Sequence, residues 1–100
     1  MKQARVLDAL IKVHKTVQAR LNDREAVVTA GTCPLTDLKG FQSVMIPTVV
    51  FMLADELGVE LPEGAKVKNI YVSKEGKRRL NLSGIADRFC ETFAEELAKA

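Results

Sequence analysis

Between Ser43 and Pro62 the chain carries its own punctuation, and that punctuation fixes one helix almost to the residue. Residues 44–55 hold nine apolar side chains out of twelve, with Pro47 near the start. Proline has no amide hydrogen, so a helix tolerates it only in the first turn, where no intrahelical acceptor is lost. The helix therefore begins within a residue or so of Ser43 or Val44. Serine is a favoured N-cap, its oxygen accepting from an orphan amide, and Gly58 is the expected C-terminal stop. A helix apolar on nearly every side is normally covered on more than one of them. In a small bundle one side still faces solvent, so Val44, Met45, Phe51 and Met52 are candidates for partner binding or self-association through this helix.

The flanking segments supply the cover. Residues 2–21 set Val6, Leu7, Leu10, Ile11, His14, Val17 and Leu21 at spacings of three and four, with Lys2, Arg5, Lys12, Lys15 and Arg20 off the stripe, which predicts an amphipathic helix. Asn22-Asp23 breaks that pattern, and residues 26–34 read as a partly buried loop ending in a turn. Thr36-Asp37 begins a short helical turn that Gly40 ends. Beyond Pro62-Glu63-Gly64, residues 67–73 and 79–82 are two β-prone runs around a glycine-containing connection, the pattern of a short β-hairpin or an extended excursion. Ser83 is placed to cap a final helix with Ile85, Phe89, Phe93 and Leu97 on one stripe. The expected fold is all-α, a small bundle forming one domain over residues 1–100.

Composition narrows the class. One hundred residues can bury a single core without metal or disulfide staples, and 47% hydrophobic with 28% charged residues argues against disorder. Cys33 and Cys90 stand far apart, outside any zinc or disulfide spacing, which fits a reducing cytoplasm. No stretch resembles a secretory signal, and the longest apolar run, residues 49–54, is too short to span a bilayer, so no membrane association is expected. The net charge of +2 is uneven: residues 66–79 carry Lys66, Lys68, Lys74, Lys77, Arg78 and Arg79 against Glu75 alone. That cluster is either a solvated loop or a docking surface for an acidic partner or a phosphate-bearing ligand. Tyr71 is the only aromatic there, so the stacking platform of a single-strand binder is missing and nucleic acid is not an expected partner.

One segment carries a family likeness. Counting back from Leu61-Pro62 through Glu56-Leu57-Gly58-Val59-Glu60, a Gly-x-x-Ser pattern falls without a gap on Gly40-Phe41-Gln42-Ser43, followed by Val44. The segment from about Leu35 to Leu97 resembles the acyl carrier protein family, whose signature is Gly-x-Asp-Ser-Leu at the start of the second helix. The resemblance implies a four-helix bundle that does no chemistry of its own. It also implies 4′-phosphopantetheine esterified to Ser43, with Gly40, Gln42 and Val44 around the attachment point, and a thiol that shuttles acyl groups in fatty-acid or polyketide biosynthesis. The implied partners are a phosphopantetheinyl transferase and acyl-transferring or synthase enzymes. A phosphodiester at a helix N-terminus also makes physical sense, since it meets free amides and the positive end of the dipole.

The chain departs from the family in three respects. Gln42 stands where the family has aspartate, the second long helix has acids only at Asp55 and Glu56, and the pI is about 8.6 where typical carriers are acidic. In place of the family's acidic docking face, Lys77, Arg78 and Arg79 offer a basic one. Two functions from different classes therefore stand side by side: an acyl or aminoacyl shuttle with an arm on Ser43, and a carrier-fold interaction module without a prosthetic group. His14, on the apolar stripe of the first helix, reads as a hydrogen-bonded core histidine. Cys33 and Cys90 read as small hydrophobes, with no motif that would orient either against His14 for nucleophilic chemistry.

Overall fold

Residues Gln3–Arg20 form the first helix, α1, of the computed structural model. The structure describes residues 3–62, 64, 67–73 and 75–99. Lys2, Glu63, Lys66 and Lys74 lie outside these, as does the side chain of Lys68. The α1 stripe buries Val6, Leu10, His14 and Val17, while Leu7 and Ile11 pack half-buried against the core. Leu21 falls just past the helix end and is exposed.

Four more helices follow. The short α2 spans Pro34–Asp37, α3 spans Ile46–Leu57, α4 spans Leu82–Thr92 and α5 spans Ala94–Lys99. A 3₁₀ turn, Ser43–Met45, leads into α3, so Pro47 lies in the first turn of the α-helical part, where its missing N–H leaves no acceptor stranded. Gly58 ends α3 at φ 69°, and its N–H returns to Ala54 and Asp55. This left-handed position favours glycine because a Cβ would be strained there. Among the described residues the protein is all-α, with no strand beyond a single bridge.

That bridge corrects the expected hairpin. Val72 and Arg79 pair antiparallel, with Ser73 N–H to Arg78 O at 2.8 Å and Leu80 N–H to Tyr71 O at 3.0 Å, but the pairing stops there. Val67–Tyr71 is instead a 3₁₀ helix. Its buried residues are Val67, Ile70 and Tyr71, and spacings of three and four put them on one helical side facing the core, where a strand would have split them between two faces.

The final helix is also revised. Its N-cap is Asn81, whose side chain accepts from Gly84 N–H at 2.9 Å, and not Ser83. The next two orphan amides are satisfied from the long loop, Leu82 N–H by Thr32 O at 2.8 Å and Ser83 N–H by Ala30 O at 3.0 Å. The helix then breaks at Phe93, where the backbone leaves the α region, φ −116° and ψ 34°. Ile85, Phe89, Phe93 and Leu97 are nevertheless all buried, as the stripe predicts. Asn81→Ala is expected to cost about 1 kcal/mol, and Ser83→Ala less than about 0.5 kcal/mol. Urea unfolding of the two variants would measure this, and equal costs would refute the assignment of the cap to Asn81.

The core is one cluster built mainly where α1 packs on α4 and on α3, with the 3₁₀ helix wedged against α3 and α4. α1 and α3 run antiparallel. The first residues of the α3 segment lie by Arg20 and Leu21, whereas Glu56 near its end is bridged to Lys12 at 2.6 Å.

Candidate functional site

Ser43 reaches the surface because the residues before it are anchored from beneath. Gly40 adopts φ 78°, a left-handed turn that lets the chain reverse before Phe41. Phe41 is buried, its ring stacked on Tyr71 at 6.0 Å and 19° and tilted against His14 at 5.4 Å. On the other side, Gln18 reaches out of α1 and donates through Nε2 to Lys39 O and to Asp23 Oδ2, each at 2.9 Å. With Lys39 and Phe41 held, Gln42 is extended at φ −126° and ψ 155° and points the next residue into solvent.

Gln42, and not Ser43, caps the turn. Its backbone carbonyl accepts from Met45 N–H at 2.9 Å, while its own N–H points at Met45 Sδ at 3.4 Å. The expected role of Ser43 as N-cap is thus taken one residue earlier, because the helix opens with a 3₁₀ turn whose first residue is Ser43. Ser43 is exposed, and its hydroxyl makes no hydrogen bond among the described residues. The amides of Ser43 and Val44 open the turn and so have no intrahelical acceptor.

Beside Ser43 lies an apolar groove of about 260 Å³ between the end of α1 and the start of α3. Val17, Leu21, Val44, Met45, Val49 and Met52 line it, with Thr48 and the cation Arg20. Val44 is 72% exposed and Phe51 54%, while Met45 and Met52 are half-buried. Gly40, Gln42, Ser43, Val44 and Met45 thus gather at one end of α3, with Phe51 and Met52 further along it. Arg20 was not legible as part of this group. It belongs to the polar side of a helix some twenty residues upstream, and only the antiparallel packing of α1 on α3 brings it here.

The basic residues are elsewhere. Lys77 and Arg78 are exposed around the Val72–Arg79 bridge, and neither lines the groove. Arg79 donates to Leu35 O at 3.1 Å and so ties that excursion to α2. A larger hollow of about 470 Å³ lies where Gly58–Pro62 faces Glu96 and Lys99, away from Ser43.

Among the described residues no acid–base constellation accompanies these features. His14 is fully buried, with Nδ1 2.8 Å from Leu10 O and Nε2 2.8 Å from the Tyr71 hydroxyl. With Nδ1–H donated to the carbonyl, Nε2 accepts from Tyr71, so the imidazole is neutral. Burial lowers its pKa to about 4, against a small upward pull from the Leu10 hydrogen bond. Burial likewise raises the Tyr71 pKa. Both His14 nitrogens are occupied, leaving none for a cysteine. Cys33 lies 3.6 Å from Thr36 Oγ1, and Cys90 has its pKa raised by burial and then by the Asp87 charge. No group of three metal-ligating side chains occurs among the described residues, and no described helix is long and apolar enough to cross a membrane. Compared with protein-family models, curated proteins and solved structures, the chain has no match.

Proposed function

We propose that the protein is an acyl-carrier-like shuttle, with 4′-phosphopantetheine esterified to Ser43. The observation that carries this reading is the Ser43 hydroxyl: exposed, without a hydrogen-bond partner among the described residues, and held at the head of α3 by a floor of buried rings. The surroundings fit a phosphodiester. The free amides of Ser43 and Val44 and the positive end of α3 favour an anion there, and Arg20 supplies a cation from across the groove. The order of α1, α3, the 3₁₀ helix Val67–Tyr71 and α4 is long, long, short, long, in keeping with a four-helix carrier bundle in which α2 and α5 are additions.

In this reading the arm supplies a thiol that carries acyl groups as thioesters. The chain's own residues anchor and present it. Gly40 and Phe41 set the path of the backbone, Gln42 caps the turn, and Val44, Met45, Phe51 and Met52 form the apolar surface on which a transferase or synthase docks. Exposed Lys77 and Arg78 supply the basic part of the docking surface, where the family uses acids. Gln42 in place of aspartate, together with the open Val44 and Phe51, favours the second reading, an interaction module without an arm.

Intact-protein mass spectrometry after incubation with coenzyme A, magnesium and several phosphopantetheinyl transferases separates the two. The expected result is one added arm on the wild type and none on Ser43→Ala. Gln42→Asp should speed the addition, because aspartate retains the cap and restores the carboxylate. No arm on wild type or on Gln42→Asp with any transferase would leave the interaction module.

A further inference from the structure

We propose that the outer face of α3 is a self-association surface on which a second copy of the chain packs antiparallel about a two-fold axis. Along α3 and its leading turn the exposed residues Val44, Thr48, Phe51 and Asp55 are spaced by four, three and four. That spacing keeps them on one side of a helix. It also reads the same in both directions, so an antiparallel copy maps the stripe onto itself. The axis passes between Thr48 and Phe51. Thr48 meets Phe51 of the second copy, and Val44 meets its Asp55, the reciprocal pairing that a two-fold interface requires. Val44 and Phe51, with half-buried Met45 and Met52 beside them, form an apolar patch that the protomer leaves open.

Charge decides the occupant and its direction. At one end of the patch Arg20 stands beside Val44 and Met45, next to the positive pole of α3. At the other end is Asp55, at the negative pole. Neither the Arg20 nor the Asp55 side chain has an ion pair or hydrogen bond among the described residues, whereas the neighbouring Glu56 is held by Lys12. An antiparallel copy brings each Arg20 to the Asp55 opposite, twice, and opposes the two dipoles. A parallel copy would set like charge against like. One helix pair lies at the small end of specific interfaces, so the dimer dissociates in the upper micromolar range. Nothing in this pairing requires an arm on Ser43.

Sedimentation equilibrium of the full chain from about 10 µM to about 1 mM tests the proposal, with Ser43→Ala run beside wild type so that modification plays no part. A reversible monomer–dimer equilibrium that weakens with salt is expected. Phe51→Glu should weaken the dimer at least about a hundredfold, and Arg20→Asp or Asp55→Arg about tenfold each. The double exchange Arg20→Asp/Asp55→Arg should recover most of that loss, with circular dichroism confirming that every variant is folded. A monomer at every concentration in low salt would overturn the proposal and leave the face to a foreign partner. A dimer indifferent to Phe51→Glu would move the interface elsewhere, and a double exchange no better than the single changes would refute the antiparallel register.

Discussion

Acidification from pH 7 to pH 4 is expected to remove about 3 kcal/mol of folding stability through His14 alone. In the folded chain burial lowers the His14 pKa from 6.5 to about 4. In the unfolded chain the imidazole takes up its proton near pH 6.5. Between those values the unfolded state binds the extra proton, so stability is fully present above pH 6.5, falls through the window, and levels off below pH 4. A neutral His14 accepts from the Tyr71 hydroxyl at 2.8 Å, and a protonated one cannot. Because Phe41 rests on both rings, the loss is felt directly beneath the Ser43 loop. Carboxylates also titrate in acid, so the control is the double variant His14→Leu/Tyr71→Phe. Replacing both partners by apolar groups of similar shape is nearly neutral at pH 7. Urea unfolding at pH 7, 5.5 and 4 should show a loss about 3 kcal/mol smaller in the double variant than in wild type. Parallel pH profiles would show that His14 is not the responsible group.

The His14–Tyr71 bond also marks where reading the sequence stops. Each residue shows a local trait, His14 on an apolar stripe and Tyr71 in a β-prone run, but nothing local pairs residues 57 positions apart. The α3 segment was legible because its signals are backbone constraints that act on their own residue: Pro47 lacks a donor and Gly58 tolerates a positive φ. Caps were less so. Asn81 outcompetes Ser83 where the amides of Leu82 and Ser83 meet carbonyls at Thr32 and Ala30, contacts settled by the loop's path over α4. At Val67–Tyr71, β-propensity pointed to a strand, yet burial of Val67, Ile70 and Tyr71 on one helical side decided the outcome, as tertiary packing commonly overrides propensity. For the site, the position of Ser43 at the head of a helix could be read. Its release from capping, the groove and Arg20 could not, since each depends on how α1 lies against α3.

Phe89→Ala is expected to destabilise the chain by about 4 kcal/mol, whereas Phe51→Ala should change its stability by less than about 0.5 kcal/mol. Both residues lie within helices, but the sequence places Phe89 on a buried stripe and Phe51 on a helix side open to a partner. Phe89 is fully buried, its ring 5.0 Å from that of Phe93 and tilted by 53°. Removing it forfeits both the transfer energy of the ring and the contacts around the cavity it leaves. That cavity cannot close easily, because Phe93 sits where α4 turns into α5 and Leu97 is buried one turn further on. Phe51 is more than half exposed. For a domain of this size the core truncation corresponds to a midpoint lowered by on the order of 20 °C. It would consume a large part of the about 5–15 kcal/mol that holds such a domain together. Thermal and urea unfolding below micromolar concentration, where self-association through Phe51 contributes nothing, isolates the effect of each truncation within the monomer. Equal costs at the two positions would mean that α4 does not pack its phenylalanines into the core. A small cost at Phe51 beside a large one at Phe89 means that the outer face of α3 is free to serve association, since folding does not depend on it.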